Sequence, residues 1–188
     1  APLLGPIQGT MLATVLGDRA NLVRSLLLVV AGAAVAVAIG FAIGLTVAGD
    51  VVAATNSQVA GRVSPRLIDL LAALGTGVVG SVALVRRDIS DTLPGVAIAI
   101  SLVPPLTVVG LTLEAGAVGE AFGALLLFVT NVVAIIATGI VVMTVYGVTQ
   151  LAAVEVVDGS RRASLRKPVI LLLSMLIVIG VPLSLTSV

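Results

Sequence analysis

Two apolar segments of this 188-residue chain carry prolines at matching positions. Residues 1–32 align without gaps on residues 100–131, which places Pro6 on Pro105, and eight of these 32 pairs are identical. A proline inside a helix removes a backbone hydrogen bond, and the carbonyl that loses its donor can then point into a cavity. Two interrupted membrane helices at corresponding places in two halves of a chain point to a transport site.

Polar and small residues lie around both proline segments. The candidate solute- or ion-binding residues are Pro6, Gln8, Gly9, Ser101, Pro104, Pro105, Thr107 and Asn131. Asn131 lies deep in an apolar segment, where a polar side chain usually faces another helix or a cavity. Two interpretations stay open. The prolines and Asn131 either form a binding site, or they give a simple helix kink and an interhelical hydrogen bond.

A second set of candidates lies at helical spacing before an apolar segment. Arg62, Arg66 and Asp69 share one face and would form an external gate or an anion-attracting vestibule. Interfacial anchoring with a local ion pair is the plainer interpretation. The polar cluster 55–58 just upstream predicts a helix cap or a short interfacial helix.

Composition excludes several kinds of chemistry. The chain has no cysteine and no histidine, so it lacks a thiol nucleophile and the commonest general base and metal ligand. No metal site, cofactor or phosphate-loop motif is recognisable, and no carboxylate lies deep within an apolar segment. A net charge of +1 offers no surface for nucleic acid. We therefore expect no enzyme.

The elements that position these residues are membrane helices. Hydrophobic residues make up 59% of the chain, charged residues 10%, and the mean hydropathy is +1.28. About 20 apolar residues span a bilayer as a helix. Charged residues separate six candidate segments, at 1–17, 25–48, 67–85, 93–113, 121–146 and 168–187. The first is short, as expected if its start is missing. The sequence predicts an all-α polytopic membrane protein with a single transmembrane domain over 1–188.

Loop charges predict the orientation. Connections 18–24, 86–92 and 147–167 carry eight lysines and arginines, whereas 49–66 and 114–120 carry two. By the positive-inside rule, the first three connections face the cytoplasm. The two proline segments then run in opposite directions across the membrane.

Opposite orientation predicts an inverted repeat of three plus three helices, with proline-broken helices in both halves. Repeat 1 covers about 1–50 and repeat 2 about 65–147, and helix 168–187 is additional. Since the chain begins inside an apolar motif without an initiator methionine, we expect the first helix of repeat 1 to be missing from it.

Small residues four positions apart predict close helix packing and a possible homodimer contact. They are Gly5 and Gly9; Gly32, Ala36, Gly40 and Gly44; Gly77 and Ser81; and Gly119 and Gly123.

Several stretches resemble the prokaryotic membrane family known as domain of unknown function 389. They are Ala1-Pro-Leu-Leu-Gly-Pro-Ile, Gly61-Arg62 with Pro65 and Asp69, Gly95-Val-Ala-Ile-Ala, Leu102-Val-Pro-Pro-Leu, and Gly123-Ala-Leu-Leu-Leu-Phe-Val-Thr-Asn. The resemblance covers residues 1–131 and implies a further helix upstream. The family often carries a glutamate where this chain has Gln58. No established activity comes with the resemblance.

These observations lead to a first hypothesis and two rivals. The first is a secondary transporter or permease for a small solute or ion, in the cell membrane of a prokaryote, with its site near the bilayer midplane between the broken helices. The second is a non-transporting scaffold or an anchor for a cytoplasmic sensor domain. The third is a passive channel. A polar cavity beside both proline segments would favour transport, and dry packing there would favour the scaffold.

Overall fold

The computed structural model describes residues 3–47, 49–85 and 92–145, and these residues form helices and no strand. The helices are α1 (Leu4–Leu16), α2 (Arg19–Gly44), α3 (Ser57–Ala60), α4 (Leu67–Val85), α5 (Thr92–Glu114) and α6 (Val118–Val145). The predicted connection 147–167, the predicted helix 168–187 and most of the predicted connection 86–92 lie outside the described residues.

Four of these helices are long and apolar enough to cross a membrane: α2, α4, α5 and α6. α1 is apolar but has 13 residues, a length of about 20 Å at 1.5 Å per residue, against a hydrocarbon core of about 30 Å. The described residues thus contain four candidate spans where the sequence predicts five. The predicted span 67–85 coincides with α4, and the predicted span 1–17, which was expected to be short, contains α1.

The same glycine turn ends α1 and α5. Gly17 and Gly116 both have φ of 72°, a left-handed conformation that glycine adopts without steric cost. In both turns the glycine N–H donates to the carbonyl three residues earlier, at 3.3 Å and 3.2 Å, and the next N–H donates to the carbonyl five residues earlier, at 2.9 Å and 2.8 Å. This pattern is the Schellman motif, and it turns the chain directly into α2 and α6.

The helices pack around α6. It contacts α4, α5 and α1 and is buried along most of its length, whereas α2 packs on α5 and α1 and leaves most of its surface exposed. The largest fully buried side chains include Leu3, Ile7, Met11, Leu102, Leu106, Ile135 and Ile140. The core therefore contains residues of both proline segments and of α6, which contacts both.

Small residues let helix backbones approach closely within this one chain. A Cβ atom on Gly40 of α2 would lie 2.5 Å from the carbonyl oxygen of Thr107 on α5, and one on Gly110 of α5 would overlap the backbone of α2 at Val37 and Phe41. The predicted use of small residues for packing is confirmed for Gly40, whereas Gly110 was not among the residues predicted for it. Each of these contacts joins two helices of the same molecule, and the predicted homodimer contact stays a prediction.

The prolines do not interrupt the described helices. Pro6 lies in the first turn of α1, where backbone N–H groups have no intrahelical partner, so its missing N–H removes no helix bond. α5 continues through Pro104 and Pro105 from Thr92 to Glu114. Proline in the interior of α5 nevertheless leaves two carbonyls without their usual donors, those of Ile100 and Ser101, four residues earlier.

Candidate functional site

Asn131 supplies a donor that Pro105 cannot. In an uninterrupted helix, the N–H of residue 105 would bond the carbonyl of Ser101. Asn131 reaches across from α6, and its Nδ2 donates to that carbonyl oxygen at 3.0 Å. Asn131 is 4% exposed, so this hydrogen bond is buried. The interhelical hydrogen bond foreseen for Asn131 is present, and its partner is the carbonyl that the proline leaves open.

Thr76 of α4 extends this contact to a third helix. Its Oγ1 lies 3.1 Å from Oγ of Ser101, and each hydroxyl is also within bonding distance of a carbonyl one turn earlier in its own helix. We call Thr76, Ser101 and Asn131 the polar cluster. Thr76 is the tenth of the 19 residues of α4 and Asn131 the fourteenth of the 28 of α6. The polar cluster therefore lies at mid-length of its helices.

One oxygen of the polar cluster lacks a partner. The carbonyl oxygen of Ser101 only accepts hydrogen bonds, so the Asn131 atom facing it must be the amide nitrogen. Oδ1 is therefore the remaining atom, and it is buried without a hydrogen-bond partner among the described residues. A buried acceptor of this kind costs free energy until a donor or a cation reaches it. Sequence reasoning identified Asn131 and Ser101 and missed Thr76, because a lone threonine in an apolar helix usually bonds its own backbone.

The predicted α1 residues do not join the polar cluster by any described hydrogen bond. Gly9 faces α2, where a Cβ atom would lie 2.7 Å from Oγ of Ser25, so its small size serves packing. Nε2 of Gln8 is buried without a partner among the described residues. Pro6 accepts a hydrogen bond from the hydroxyl of Thr10 at 2.8 Å through its carbonyl oxygen. No described hydrogen bond thus links the α1 candidates to the α5 and α6 candidates.

Two further candidates line a groove on the outer face of α5. Pro104 and Thr107 border it together with Gln58 of α3 and Arg62, which follows α3 in the connection between α2 and α4. The groove has a volume of about 580 Å³ and does not include Asn131. Pro104 and Pro105, adjacent in sequence, therefore face different surroundings.

The three residues of the predicted external gate form two separate local contacts. Arg62 donates through one guanidinium nitrogen to the carbonyl oxygen and to Oε1 of Gln58, at 2.8 Å and 2.9 Å. Asp69 accepts from the backbone N–H of Arg66 at 3.1 Å, which caps the start of α4. The contact between Arg66 and Asp69 is thus a helix cap and differs from the predicted side-chain ion pair. α3 begins within the polar segment 55–58, with Asn56 as its cap, as predicted.

Charged groups lie at the helix ends. In the turn between α1 and α2, the carboxylate of Asp18 accepts from the backbone N–H of Asn21 at 3.1 Å and from its side-chain amide at 2.6 Å. These hydrogen bonds stabilise the charged form and lower the pKa of Asp18 below its ordinary value of 3.8. Across the described ranges, no group of three or more carboxylates is arranged to hold a metal ion.

Comparison with known proteins identifies relatives without a known activity. Residues 1–137 match the family model described as Domain of unknown function (DUF389). An uncharacterised protein of Methanocaldococcus jannaschii is 34% identical over 151 residues, which cover 79% of this chain and 45% of that protein. The chain therefore spans less than half of this relative's length. No solved structure matches the chain significantly.

Proposed function

The chain belongs to the family described as Domain of unknown function (DUF389), and from this premise we propose that it forms the core of a secondary transporter or permease for a small solute or ion. The transporter resides in a prokaryotic cell membrane, with the turn between α1 and α2 on the cytoplasmic side. Its site is the polar cluster at mid-length of α4, α5 and α6. The four long apolar helices support the membrane setting, and the activity rests on the site.

The observation that carries the proposal is the unpaired Oδ1 of Asn131. It is an acceptor at the depth where transporters bind substrates and coupling ions. Thr76 and Ser101 add two hydroxyl oxygens. Each hydroxyl proton can go either to the other hydroxyl or to a backbone carbonyl of its own helix. Such a set presents more acceptors than donors. It suits a ligand that brings its own donors or positive charge, and no side chain of the polar cluster is charged.

An inverted repeat belongs to the same proposal, and helix contacts support it. α2 meets α5 at Gly40 and Gly110. In the repeat, equivalent positions differ by 99, so the counterpart of Gly40 is Gly139 and the counterpart of Gly110 is Met11. A Cβ atom on Gly139 would overlap the side chain of Met11, so these equivalent positions are also in contact. The two Schellman turns are related by the same shift of 99 residues.

Direction supports the same relation. α2 and α5 run the same way, since Gly40 faces Thr107 and Gly44 faces Glu114. Short turns make α1 antiparallel to α2 and α5 antiparallel to α6. α1 therefore runs opposite to its counterpart α5, as an inverted repeat requires.

A non-transporting membrane scaffold is the second candidate, and one observation favours it. The hydrogen bond from Asn131 to Ser101 gives the side chain a purely structural role, and Pro105 beside it is buried. In this alternative the polar cluster is a clamp that holds α5 to α6. A ligand would then make no difference to its stability.

Ligand-dependent stabilisation separates the two candidates, because a ligand that binds the native state raises its stability. Purified protein is heated with a panel of alkali cations, ammonium and small amines, and active conditions are then tested for uptake into proteoliposomes. We expect at least one ligand to raise the unfolding temperature of the wild type but not of Asn131→Ala. Thr138→Val is the matched control, because the described hydrogen bond of the Thr138 hydroxyl goes to the carbonyl of Ala134 on the same helix.

An equal ligand response in wild type and Asn131→Ala would place the site elsewhere. Absence of any response or uptake across the panel, with both proteins folded, would favour the scaffold.

A further inference from the structure

The groove between α3 and the outer face of α5 has the form of a site for an elongated amphiphile. Its floor consists of α5 residues with Val59 of α3, and its rim is polar. The floor is apolar except for Thr107, whose hydroxyl donates to the carbonyl of Val103 on the same helix. The apolar floor residues on α5 are Ala99, Ile100, Val103, Pro104, Val108 and Leu111. From Ala99 to Leu111 the helix rises twelve residues, or about 18 Å. One leaflet of the hydrocarbon core is about 15 Å thick, half of about 30 Å.

The rim lies at one end of this floor. Val59 of α3 packs with Val108 and Val109 near the carboxyl end of α5, so α3 covers that end. The opposite end lies at Ile100, which is 68% exposed and close to the middle of α5. The groove therefore runs from the helix end, where headgroups lie, towards the membrane centre.

Arg62 places a positive charge at the headgroup end. Among the described residues that line the groove it is the one charged side chain. Its described hydrogen bonds go to the neutral oxygens of Gln58, which orient the guanidinium without neutralising it. A guanidinium that is held in place but not paired matches a phosphate in charge and geometry.

We infer that this groove binds an anionic phospholipid, with the phosphate at Arg62 and one acyl chain along α5. The charge at the rim selects the headgroup, and the apolar floor fits a hydrocarbon chain. This site is separate from the polar cluster, and the inference does not depend on transport. A second copy of the chain would bury the same floor but would leave the charge of Arg62 to be matched by a carboxylate.

Lipid titration of the intact protein in detergent tests this inference. Dioleoylphosphatidylglycerol is the anionic probe and dioleoylphosphatidylcholine the zwitterionic reference, and native mass spectrometry measures bound lipid and oligomeric state together. We expect the wild type to prefer the anionic lipid and Arg62→Gln to bind it about fivefold more weakly, the effect of one basic residue near a membrane surface. Arg66→Gln is the matched control, because Arg66 is exposed and does not line the groove.

The floor is tested by Ile100→Trp, which fills the groove and should weaken binding of both lipids. Val96→Trp is its control, since Val96 is also exposed on α5 but lies outside the groove. Higher ionic strength should reduce the wild-type preference, because the contact with phosphate is electrostatic. This salt dependence tests the inference even if Arg62→Gln fails to fold.

Three results would overturn the inference. The first is a wild type whose preference for the anionic lipid is absent or independent of salt. The second is an equal loss of lipid binding in Arg62→Gln and Arg66→Gln. The third is an Ile100→Trp protein that retains lipid but changes its oligomeric mass. The last result would assign the groove to a second copy of the chain.

Discussion

Removing the Asn131 side chain should matter far less once Pro105 is removed. Asn131 donates to the carbonyl of Ser101 because residue 105 has no N–H to offer. Pro105→Ala restores that N–H at the position where an α-helix uses it. The consequence is a specific coupling between two residues that belong to different helices.

The magnitude follows from the hydrogen bond. A buried polar group left without its partner costs about 1–3 kcal/mol, and hydrogen bonds between membrane helices average about 0.6 and reach about 1.7 kcal/mol. Because Asn131 is 4% exposed, we expect Asn131→Ala to lower the free energy of unfolding by about 1–2 kcal/mol. In the Pro105→Ala background the same substitution should cost about 1 kcal/mol less. The void left by the shortened side chain is common to both backgrounds and cancels.

Equilibrium unfolding of the four proteins in mixed micelles measures this double-mutant cycle. Pro104→Ala provides the matched control, since the carbonyl associated with residue 104 is that of Ile100, which Asn131 does not contact. Asn131→Ala should therefore cost the same in the wild-type and Pro104→Ala backgrounds. Equal costs in the wild-type and Pro105→Ala backgrounds would refute the argument that Asn131 replaces the proline's missing donor.

Three further predictions concern packing, orientation and capping. Gly110→Ala should destabilise the protein by about 1–3 kcal/mol in thermal unfolding, because its Cβ would overlap the backbone of α2. Gly75→Ala is the control: a Cβ there has nothing within 4 Å, so it should be neutral or stabilise the protein by up to about 1 kcal/mol. Equal effects of the two substitutions would contradict the packing argument. Single cysteines at Ala20 and Gly119, which are equivalent positions in a chain without cysteine, should react with an impermeant maleimide from opposite sides of the membrane, and same-side labelling would exclude the inverted repeat. Because the pKa of Asp18 is lowered on folding, its cap stabilises the protein above the ordinary value of 3.8 and loses this effect as the pH falls through the lower folded pKa. The difference in unfolding temperature between wild type and Asp18→Ala should therefore decrease in acid, and a constant difference would contradict this assignment.

Helix positions could be predicted from the sequence because they depend on local properties. Lipid offers no hydrogen bonds to an exposed backbone, so a long apolar segment forms a helix whatever surrounds it. The predicted segment 67–85 therefore coincides with α4. The cap of α3 at Asn56 was equally local, since the bond joins residues two apart. The short first segment, predicted at 1–17, contains α1, which ends in the turn at Gly17.

The role of the prolines could not be predicted in the same way. Pro6 and Pro105 look equivalent in the alignment, but one lies in a first helical turn and the other in a helix interior. Only the second leaves a carbonyl that needs a new donor. Sequence spacing does not show where that donor comes from, because Asn131 follows Ser101 by 30 residues.

The amino-acid sequence by itself determined the helical membrane character of this protein, its family and the identity of Asn131 as an unusual polar residue. Tertiary structure decided that Asn131 meets Ser101 and Thr76, and that Pro104 faces an outer groove bordered by Arg62. The physical reason lies in the helices themselves. They are apolar on nearly every side, so their sequences carry little information about which face is buried. That choice depends on close approach at glycines and on hydrogen bonds between distant residues, and both exist only after the helices have packed.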